Sequence, residues 1–243
     1  MKTLDFSGRT VLVVGGSSGI GNGIAQAFRT QGATVTVWGT RKSAQEYADS
    51  EGSNLTGLAY EQVDVSDEAA IEAAANFAKL DVLVLCQGAV LYERSEFKMP
   101  GFRKVLEVNL MSLMACAGKF HEALTAAKGA LIIVSSTAAF HSTMGNPAYN
   151  ASKTGAYGLT RTLAEAWARD GIRVNGIAPG LVDTKMTKAT TDNPQRLDAS
   201  LKKIPLRRLG TPAEMAGVAL FLASDLSAYV LGQTIVVDGG LIL

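Results

Sequence analysis

The stretch Thr10-Val11-Leu12-Val13-Val14-Gly15-Gly16-Ser17-Ser18-Gly19-Ile20-Gly21 decides the fold class of this chain. Its first five residues form a continuous, mostly β-branched run, which is typical of a strand buried on both faces of a parallel sheet. The glycines that follow permit a tight turn, and apolar residues then recur at helical spacing from Ile24 to Phe28. The stretch therefore predicts a strand, a glycine turn and a helix.

The same alternation of strand and helix continues to the end of the chain. Further strands are expected at 33–38, 58–63, 82–86, 131–135, 172–177 and 234–237, with helices over 67–78, 102–127, 147–169 and 211–224. Strands that alternate with helices form right-handed βαβ units. We therefore predict an α/β fold with one doubly wound, parallel, Rossmann-like sheet and helices on both faces.

Neither a linker, a repeat nor a low-complexity segment divides the sequence, so we expect residues 1–243 to form a single dinucleotide-binding domain. The polar segment 184–205 has only a weak helical pattern. Its length favours a lid over the substrate, although a surface excursion with one short helix is the alternative.

Composition excludes several classes of partner. Hydrophobic residues make up 47% of the 243 residues, enough for a sizeable core, and the net charge is only +1 without a basic block. We therefore expect neither a nucleic-acid partner nor a membrane partner. Cys86 and Cys116 lack a metal-binding spacing, and we expect no metal site. The chain begins without the apolar core of a signal peptide, so the expected location is cytoplasmic with reduced cysteines.

The glycine turn has the spacing G-x-x-x-G-x-G over residues 15–21. Glycine lets a pyrophosphate approach the main chain, and the N-terminus of the following helix favours an anion. The pattern allows a purely structural turn, but its position between a strand and a helix favours nucleotide binding.

The end of the second strand bears on the type of cofactor. Trp38-Gly39-Thr40-Arg41-Lys42 contains no carboxylate for a ribose 2′-hydroxyl, whereas Arg41 or Lys42 can pair with a 2′-phosphate, aided by the Thr40 or Ser18 hydroxyl. This favours NADP(H), with NAD(H) as the alternative if both cations are solvated. Asp64 is positioned to accept from the adenine amino group or to cap the next helix, for which Ser66 is the better candidate.

A second informative stretch is Asn146-Pro147-Ala148-Tyr149-Asn150-Ala151-Ser152-Lys153. Asn146 is a candidate N-cap and Pro147 a candidate first helical residue. Tyr149 and Lys153 then lie one turn apart on the same helix face. We expect the Lys153 ammonium and the helix dipole to lower the pKa of the Tyr149 phenol, which suits acid–base chemistry. The alternative is a half-buried aromatic residue beside a surface charge.

From Arg9 to Gly240 the chain resembles the short-chain dehydrogenase/reductase family, including its 3-oxoacyl-carrier-protein-reductase-like members. The resemblance rests on the glycine turn, on Asp64-Val65, on the Tyr149/Lys153 pair and on the loop 179–184. Asn109 and Ser136 fall where the family has its other two active-site residues. The C-terminal stretches 208–214, 221–225 and 232–240 are also very similar.

The resemblance implies four catalytic residues with distinct roles. Tyr149 exchanges the proton with the substrate oxygen, and Ser136 donates a hydrogen bond to that oxygen. Lys153 tunes Tyr149 and binds the nicotinamide ribose, while Asn109, at a break in its helix, holds a water that connects Lys153 to solvent. The purely structural alternatives are that Ser136 is a hydroxyl at the end of a strand and that Asn109 is a polar residue that kinks its helix.

The implied cofactor-binding residues are Gly15, Ser17, Ser18, Gly19, Ile20, Gly21, Gly39, Thr40, Arg41, Asp64, Val65, Gln87, Gly88, Tyr149, Lys153, Pro179, Gly180, Val182 and Thr184. Candidate substrate residues are His141, Met144 and Met186. A lone histidine is more often a loop hydrogen-bonder, and the two methionines equally suit core or interface packing.

The chain departs from the family pattern at two places. Val14 replaces a threonine whose hydroxyl supports the glycine turn, and Leu85-Cys86-Gln87-Gly88 replaces Asn-Asn-Ala-Gly after the fourth strand. The glycine that allows close approach to the cofactor ribose remains. The hydrogen bonds that brace the strand end are lost unless Gln87 supplies one.

The expected activity is an NADP(H)-dependent hydride transfer between nicotinamide and a small carbonyl or secondary alcohol substrate. An NAD(H)-dependent dehydrogenase and a non-catalytic dinucleotide-sensing protein are the alternatives. A reductase for carrier-protein substrates needs a basic patch, and Lys128 and Arg169 are weak candidates because Asp170 adjoins Arg169. The resemblance also implies a homotetramer paired through the helices around Asn109 and Tyr149, whereas composition alone allows a monomer.

Overall fold

Seven parallel strands form one sheet in the computed structural model, which describes residues 4–243. Their order is β3-β2-β1-β4-β5-β6-β7. The strands are β1 (Thr10–Val14), β2 (Thr34–Gly39), β3 (Ala59–Gln62), β4 (Val82–Leu85), β5 (Ala130–Val134), β6 (Arg173–Pro179) and β7 (Thr234–Val237). The predicted doubly wound parallel sheet is confirmed. Its strand order reverses between β1 and β4, where open α/β sheets bind ligands at the carboxyl ends of the strands.

Helices cover both faces of this sheet. They are α1 (Gly19–Thr30), α2 (Glu68–Ala73), α3 (Met99–Leu106), α4 (Ser112–Lys119), α5 (His121–Ala127), α6 (Pro147–Trp167), α7 (Lys188–Thr191), α8 (Pro194–Lys203) and α9 (Pro212–Ala223). The polar segment 184–205 thus contains two short helices, α7 and α8.

The apolar strands divide their side chains between two cores. In β1, Leu12 and Val14 belong to one core, while Val11 and Val13 belong to the core on the opposite face. Successive residues of a strand point to opposite faces, so a continuous apolar run supplies both layers. This explains why the central strands read as unbroken hydrophobic runs in the sequence.

Two predicted helices have different limits in the structure. The helix expected over 67–78 ends at Ala73, because the Glu61 carboxylate accepts a hydrogen bond from the Ala75 N–H at 2.8 Å. The helix expected over 102–127 is divided into α3, α4 and α5. A π-helical turn, Glu107–Met111, separates α3 from α4 and carries Asn109.

Most of the apolar residues on the helices around Asn109 and Tyr149 that could have formed a subunit contact lie in the core, and only Leu159 and Trp167 of that set are partly buried. Leu113, Ala117, Phe120, Ala156 and Leu163 are all buried within the chain, beneath the face of the sheet that α4 and α6 cover. Helices buried against a sheet on one side and neighbouring helices on the other are apolar around much of their surface. None of the helices within residues 4–243 combines the length and apolar character that a membrane crossing requires.

Truncation of the central strand β5 tests this account of the core. Leu131 is fully buried, so Leu131→Ala is expected to lower the free energy of unfolding by about 2–5 kcal/mol. Leu226→Ala removes the same atoms from a side chain that is 50% exposed and should cost less than about 1 kcal/mol. Urea denaturation measures both values, and equal losses would contradict the assignment of Leu131 to the core.

Candidate functional site

A cleft of about 580 Å³ opens where β1, β2, β4, β5 and β6 end. Nineteen of the residues predicted for the site line it: Gly15, Ser17, Ser18, Gly19, Ile20, Gly21, Gly39, Thr40, Val65, Gln87, Gly88, Ser136, Tyr149, Lys153, Pro179, Gly180, Val182, Thr184 and Met186. Arg41, Asp64, Asn109, His141 and Met144 are not among its lining residues. The topology therefore gathers most of the predicted set at the carboxyl edge of the sheet.

The glycine turn is tightly folded and braced by a side chain that the sequence did not single out. A Cβ atom on Gly21 would overlap the Gly15 carbonyl oxygen, so the turn requires glycine there. The buried Asn22 amide donates to the Gly16 and Asn54 carbonyls at 3.1 and 2.9 Å and accepts from the Asn54 N–H. Asn22 thus stabilises a turn in which Val14 cannot supply the supporting hydroxyl of a threonine.

The end of β2 presents hydroxyl groups to the cleft. Thr40, Ser17 and Ser18 line this side, and the Tyr47 hydroxyl accepts from the Arg41 N–H at 3.3 Å. The guanidinium of Arg41 lies over the Tyr47 ring at 4.4 Å from its centroid and donates to Ser50 Oγ and to the Glu46 carbonyl. Arg41 is therefore bound to its own loop rather than directed into the cleft.

Asp64 is held in a local turn beside the cleft. Its carboxylate accepts hydrogen bonds from the Ser66 N–H and hydroxyl at 3.0 and 2.7 Å, and these bonds lower the pKa of Asp64. The expectation that Ser66 caps the next helix is wrong, because Asp67 caps α2 by accepting from the Ala69 N–H. Val65, next to Asp64, does line the cleft.

Gln87 supplies the brace that the changed motif after β4 required. Its Nε2 donates to Ser112 Oγ at 3.0 Å, and Ser112 in turn donates to the Val108 carbonyl at 2.6 Å. These bonds fix the end of β4 against the first turn of α4. Gln87 Oε1 is buried without a hydrogen-bond partner among the described residues.

Asn109 lies directly behind the cleft in the π-helical turn, as its predicted helix break requires. It is fully buried; its Oδ1 accepts from the Ala89 N–H at 2.7 Å and its Nδ2 donates to the Ala89 carbonyl at 2.9 Å. Nδ2 also donates to Ser152 Oγ at 3.1 Å. Asn109 therefore joins the loop after β4 to α6.

Ser136, Tyr149 and Lys153 meet where β5 ends and α6 begins. The Ser136 hydroxyl, which accepts from the Ala138 N–H at 3.1 Å, hydrogen-bonds to the Tyr149 phenol. Lys153 Nζ donates to the Val134 carbonyl at 3.0 Å and lies 5.6 Å from the centroid of the Tyr149 ring. These contacts bring a hydroxyl, a phenol and an ammonium into one corner of the cleft.

Burial dominates the electrostatics of this corner. Desolvation raises the pKa of Tyr149, and the hydrogen bond from Ser136 offsets this only in part. The predicted lowering of the Tyr149 pKa is therefore wrong for the protein without cofactor. Desolvation also lowers the pKa of Lys153 to about 8, since no carboxylate compensates its buried charge.

Nicotinamide dinucleotides fit the shape of the site. A Cβ atom on Gly88 would project into the cleft, 3.7 Å from Lys153 Nζ and 3.9 Å from Asn109 Oδ1. Glycine thus leaves room for a ribose beside Lys153, and the glycine turn lines the same cleft. The residues present are those that such a cofactor requires.

Two contacts connect the segment 184–205 with the rim of the cleft. Tyr92 Oη donates to the Met186 carbonyl at 2.7 Å, and both residues line the cleft. Lys188 in α7 forms an ion pair with Glu51 at 3.1 Å, next to Gly52, whose carbonyl accepts from the Gly19 N–H. The segment is therefore attached on both sides of the entrance.

The other two candidate substrate residues lie outside the cleft. Met144 is 94% exposed, and the exposed His141 contacts the Ser142 carbonyl through its own ring nitrogen at 2.9 Å. Sequence reasoning placed them near the entrance because they precede Tyr149. The chain, however, carries them over the surface before α6 begins.

Comparison with known proteins relates this geometry to characterised sequences. A family profile described as enoyl-(acyl carrier protein) reductase matches residues 14–242. A 3-oxoacyl-[acyl-carrier-protein] reductase from Chlamydia trachomatis is 38% identical over 245 residues, which cover 96% of this chain and 97% of that protein. A 2-dehydro-3-deoxy-D-gluconate 5-dehydrogenase from Bacillus subtilis is 37% identical and covers 97% and 95%.

Solved structures with a similar fold include two gluconate 5-dehydrogenases. A putative NAD(P)-dependent gluconate 5-dehydrogenase from Beutenbergia cavernae with bound NADP has a TM-score of 0.89 and 35% identity, over 99% of each chain. A gluconate 5-dehydrogenase from Burkholderia cenocepacia in complex with NADP and tartrate has a TM-score of 0.88 and 29% identity, over 98% of this chain and 96% of that one.

Lys153 provides a test of the buried charge through the pH dependence of stability. Its pKa in the folded protein is about 8, below the ordinary lysine value of 10.5, so the unfolded chain binds more of this proton between those two pH values. The Lys153 contribution therefore destabilises the cofactor-free protein below pH 8 by roughly 3 kcal/mol, and stability rises as pH increases through this window. Lys153→Met should be more stable than the wild type at pH 7.

Urea denaturation of both proteins at a series of pH values measures this difference. The advantage of Lys153→Met should shrink between about pH 8 and pH 10.5. An advantage that does not change with pH would contradict the buried, destabilised ammonium. Lys203→Met, which removes an exposed lysine from α8, is the control for the loss of a positive charge at the surface.

Proposed function

The chain belongs to the short-chain dehydrogenase/reductase family, and we propose that it is an NADP(H)-dependent enzyme with Tyr149 as its acid and base. Members of this family are oxidoreductases that act on CH–OH and C=O groups, and NADP is bound in similar solved structures. The proposed reaction transfers a hydride between nicotinamide and a carbonyl or secondary alcohol of a small-molecule substrate. NADP(H) supplies the hydride chemistry when it is bound.

One observation carries the proposal: the Tyr149 phenol, the Ser136 hydroxyl and the Lys153 ammonium meet beside the space that Gly88 leaves open. Tyr149 gives its proton to the substrate oxygen in reduction and takes it back in oxidation. Ser136 donates to the same oxygen and stabilises the charge that develops there. Lys153 binds the ribose hydroxyls and supplies positive charge beneath the phenol.

The raised pKa of Tyr149 has a consequence for this mechanism. A phenol with a raised pKa stays protonated at neutral pH but is a weak proton donor, so efficient acid–base chemistry requires a lower pKa than the cofactor-free site gives Tyr149. Oxidation requires the ionised phenol, which positive charge next to Tyr149 favours. Lys153 provides this charge from within the protein, and oxidised nicotinamide would add to it.

The hydrogen bonds of Asn109 restrict its proposed role with water. Both N–H donors of its amide are used, one by Ala89 and one by Ser152. A water held by this side chain must therefore donate to Oδ1, which has a second lone pair besides the one that faces Ala89. Such a water would lie within reach of Lys153 Nζ, because both atoms border Gly88.

The proposed preference for NADP(H) now rests on the hydroxyl groups at the end of β2. Ser17, Ser18 and Thr40 line the cleft where a 2′-phosphate would lie, and no carboxylate follows the strand to bind a 2′-hydroxyl. Arg41 must leave Ser50 and Glu46 to reach the phosphate. This engagement of Arg41 is the observation that favours the alternative, an NAD(H)-dependent dehydrogenase.

The identity of the substrate and the assembly are narrower proposals. The names of similar proteins point to 3-oxoacyl groups, keto-gluconates and polyols as trial substrates. Asp170 lies 3.0 Å from His121 Nε2, and its carboxylate beside Arg169 still weakens the basic patch that a carrier protein would need. We retain the homotetramer as a proposal and assign its contacts to exposed residues such as Met111 and Met114 rather than to the buried ones named above.

Cofactor preference is tested with a panel of 3-oxoacyl thioesters, keto-gluconates, simple ketones and polyols, each assayed with NADP(H) and NAD(H). We expect turnover with NADP(H) to exceed turnover with NAD(H) at least about tenfold, since a 2′-phosphate adds charge-assisted hydrogen bonds. Arg41→Ala should reduce this ratio if Arg41 moves to the phosphate. A clear preference for NAD(H) would overturn the assignment of the cofactor.

The role of Tyr149 is tested with Tyr149→Phe on the best substrate of that panel. Loss of the proton donor is expected to lower kcat about 10²–10⁴-fold while the affinity for NADP(H), measured by fluorescence, is retained. Tyr157→Phe on the same helix, outside the cleft, is the control and should leave kcat unchanged. Normal turnover by Tyr149→Phe would show that a different group supplies the proton, whereas no turnover of any substrate of the panel by the wild type would favour a dinucleotide-sensing protein.

A further inference from the structure

Glu96 is a fully buried carboxylate that the proposed mechanism does not use. It lies in a short 3-10 helix, Ser95–Phe97, in the loop between β4 and α3, and none of its surface is exposed. Among the described residues it takes part in no ion pair. A buried carboxylate without a cation persists only where hydrogen-bond donors compensate its charge.

Three N–H groups provide this compensation. Glu96 Oε1 accepts from the Leu91 N–H at 3.0 Å and from Asn146 Nδ2 at 3.2 Å. Oε2 accepts from the Tyr149 N–H at 2.9 Å. The donors come from two separate segments, the loop after β4 and the start of α6, so the carboxylate connects the two.

The bond to Tyr149 replaces the helix cap predicted from the sequence. Asn146 is the N-cap residue of α6, yet its side chain makes no capping hydrogen bond and donates to the Leu91 carbonyl at 2.9 Å instead. Pro147 is the first helical residue, so Tyr149 is the third, and the N–H of that residue normally pairs with the N-cap side chain. Glu96 takes over this pairing from outside the helix.

The backbone before Glu96 is held in an unusual conformation. Glu93 and Arg94 both have φ near 56°, in the left-handed region that residues other than glycine rarely adopt. Two such residues in succession persist only where surrounding contacts fix them. Here the conformation directs Glu96 inward, beneath the first turn of α6.

We propose that Glu96 is a positioning residue for Tyr149: its carboxylate caps the first turn of α6 and ties that turn to the loop that lines the substrate side of the cleft. This inference rests on the proposed role of Tyr149. Ala89, Val90 and Tyr92 of this loop line the cleft, so one carboxylate fixes both the proton donor and the wall opposite it. Burial keeps the Tyr149 phenol protonated, and the negative charge of Glu96 acts in the same direction.

Glu96→Gln is the direct test, because the amide keeps the size of the side chain but directs an N–H₂ group at one of the three donors. We expect kcat to fall about 10- to 100-fold, since a displaced reacting group is costly, while the KM for the cofactor is unchanged. The Tyr149 pKa should fall in the variant, because a negative charge has been removed. Ultraviolet titration of tyrosinate in the cofactor-free protein measures it, with the same variant carrying Tyr149→Phe as the baseline.

Two further variants separate positioning from general stability. Glu214→Gln alters another carboxylate at a helix start, where Glu214 accepts from the Thr211 N–H at 2.9 Å in α9, outside the cleft. It should lower thermal stability without a change in kcat or in tyrosinate titration. Asn146→Ala removes one hydrogen bond to Glu96 but keeps the negative charge of Glu96. It should therefore lower kcat without lowering the pKa of Tyr149. This variant also provides the test if Glu96→Gln does not fold.

The outcomes distinguish this inference from the proposed function. If the wild type turns over substrate but Glu96→Gln retains its kcat and its tyrosinate titration, the positioning role is wrong and the function stands. If Glu96→Gln does not fold and Asn146→Ala has unchanged kcat, the positioning role is likewise overturned. If no substrate is turned over, the function fails, and the titration in the cofactor-free protein still decides whether Glu96 acts on Tyr149.

Discussion

The pairing of β1 with β2 on one side and with β4 on the other is the constraint on which the site depends. Parallel strands bring all their carboxyl ends to one edge, and the reversal of strand order separates the loops that follow β1 and β4 so that a cleft remains between them. The glycine turn, Gly88, Ser136 and Gly180 each follow a strand that ends at this edge. Residues far apart in the sequence meet there because the sheet, rather than any local motif, sets their positions.

Regular patterns were predictable from the sequence, whereas contacts between distant segments were not. The strands and the glycine turn depend on local chemistry, namely apolar runs and the conformational freedom of glycine. The end of α2 at Ala73 depends on Glu61 from β3, and the cap of α6 depends on Glu96 from the loop after β4. Neither carboxylate has a sequence pattern that marks it. The raised Tyr149 pKa was missed for the same reason, because desolvation depends on neighbours that only the folded chain supplies.

The polar groups of the site are costly for the stability of the fold. Lys153 in α6 and Glu96 in the loop after β4 are both buried, and Gln87 Oε1 lacks a hydrogen-bond partner among the described residues. Each would be replaced by an apolar side chain if packing alone determined the sequence. Their hydrogen bonds run between β4, β5 and α6, so the free energy spent on burying them maintains a rigid arrangement of reacting groups. Stability is lower, and the geometry is fixed before a ligand arrives.

The two attachments of the segment 184–205 differ in their response to the solvent. The Lys188–Glu51 ion pair is largely exposed, and dissolved ions weaken such a pair, whereas the hydrogen bond from Tyr92 to the Met186 carbonyl involves no charged group. Higher ionic strength therefore weakens the attachment of the segment at Glu51 more than its attachment at Tyr92. In a concentrated salt solution the end of this segment near Glu51 would detach before the end near Tyr92, so the medium as well as the sequence decides which end of the segment is the more mobile.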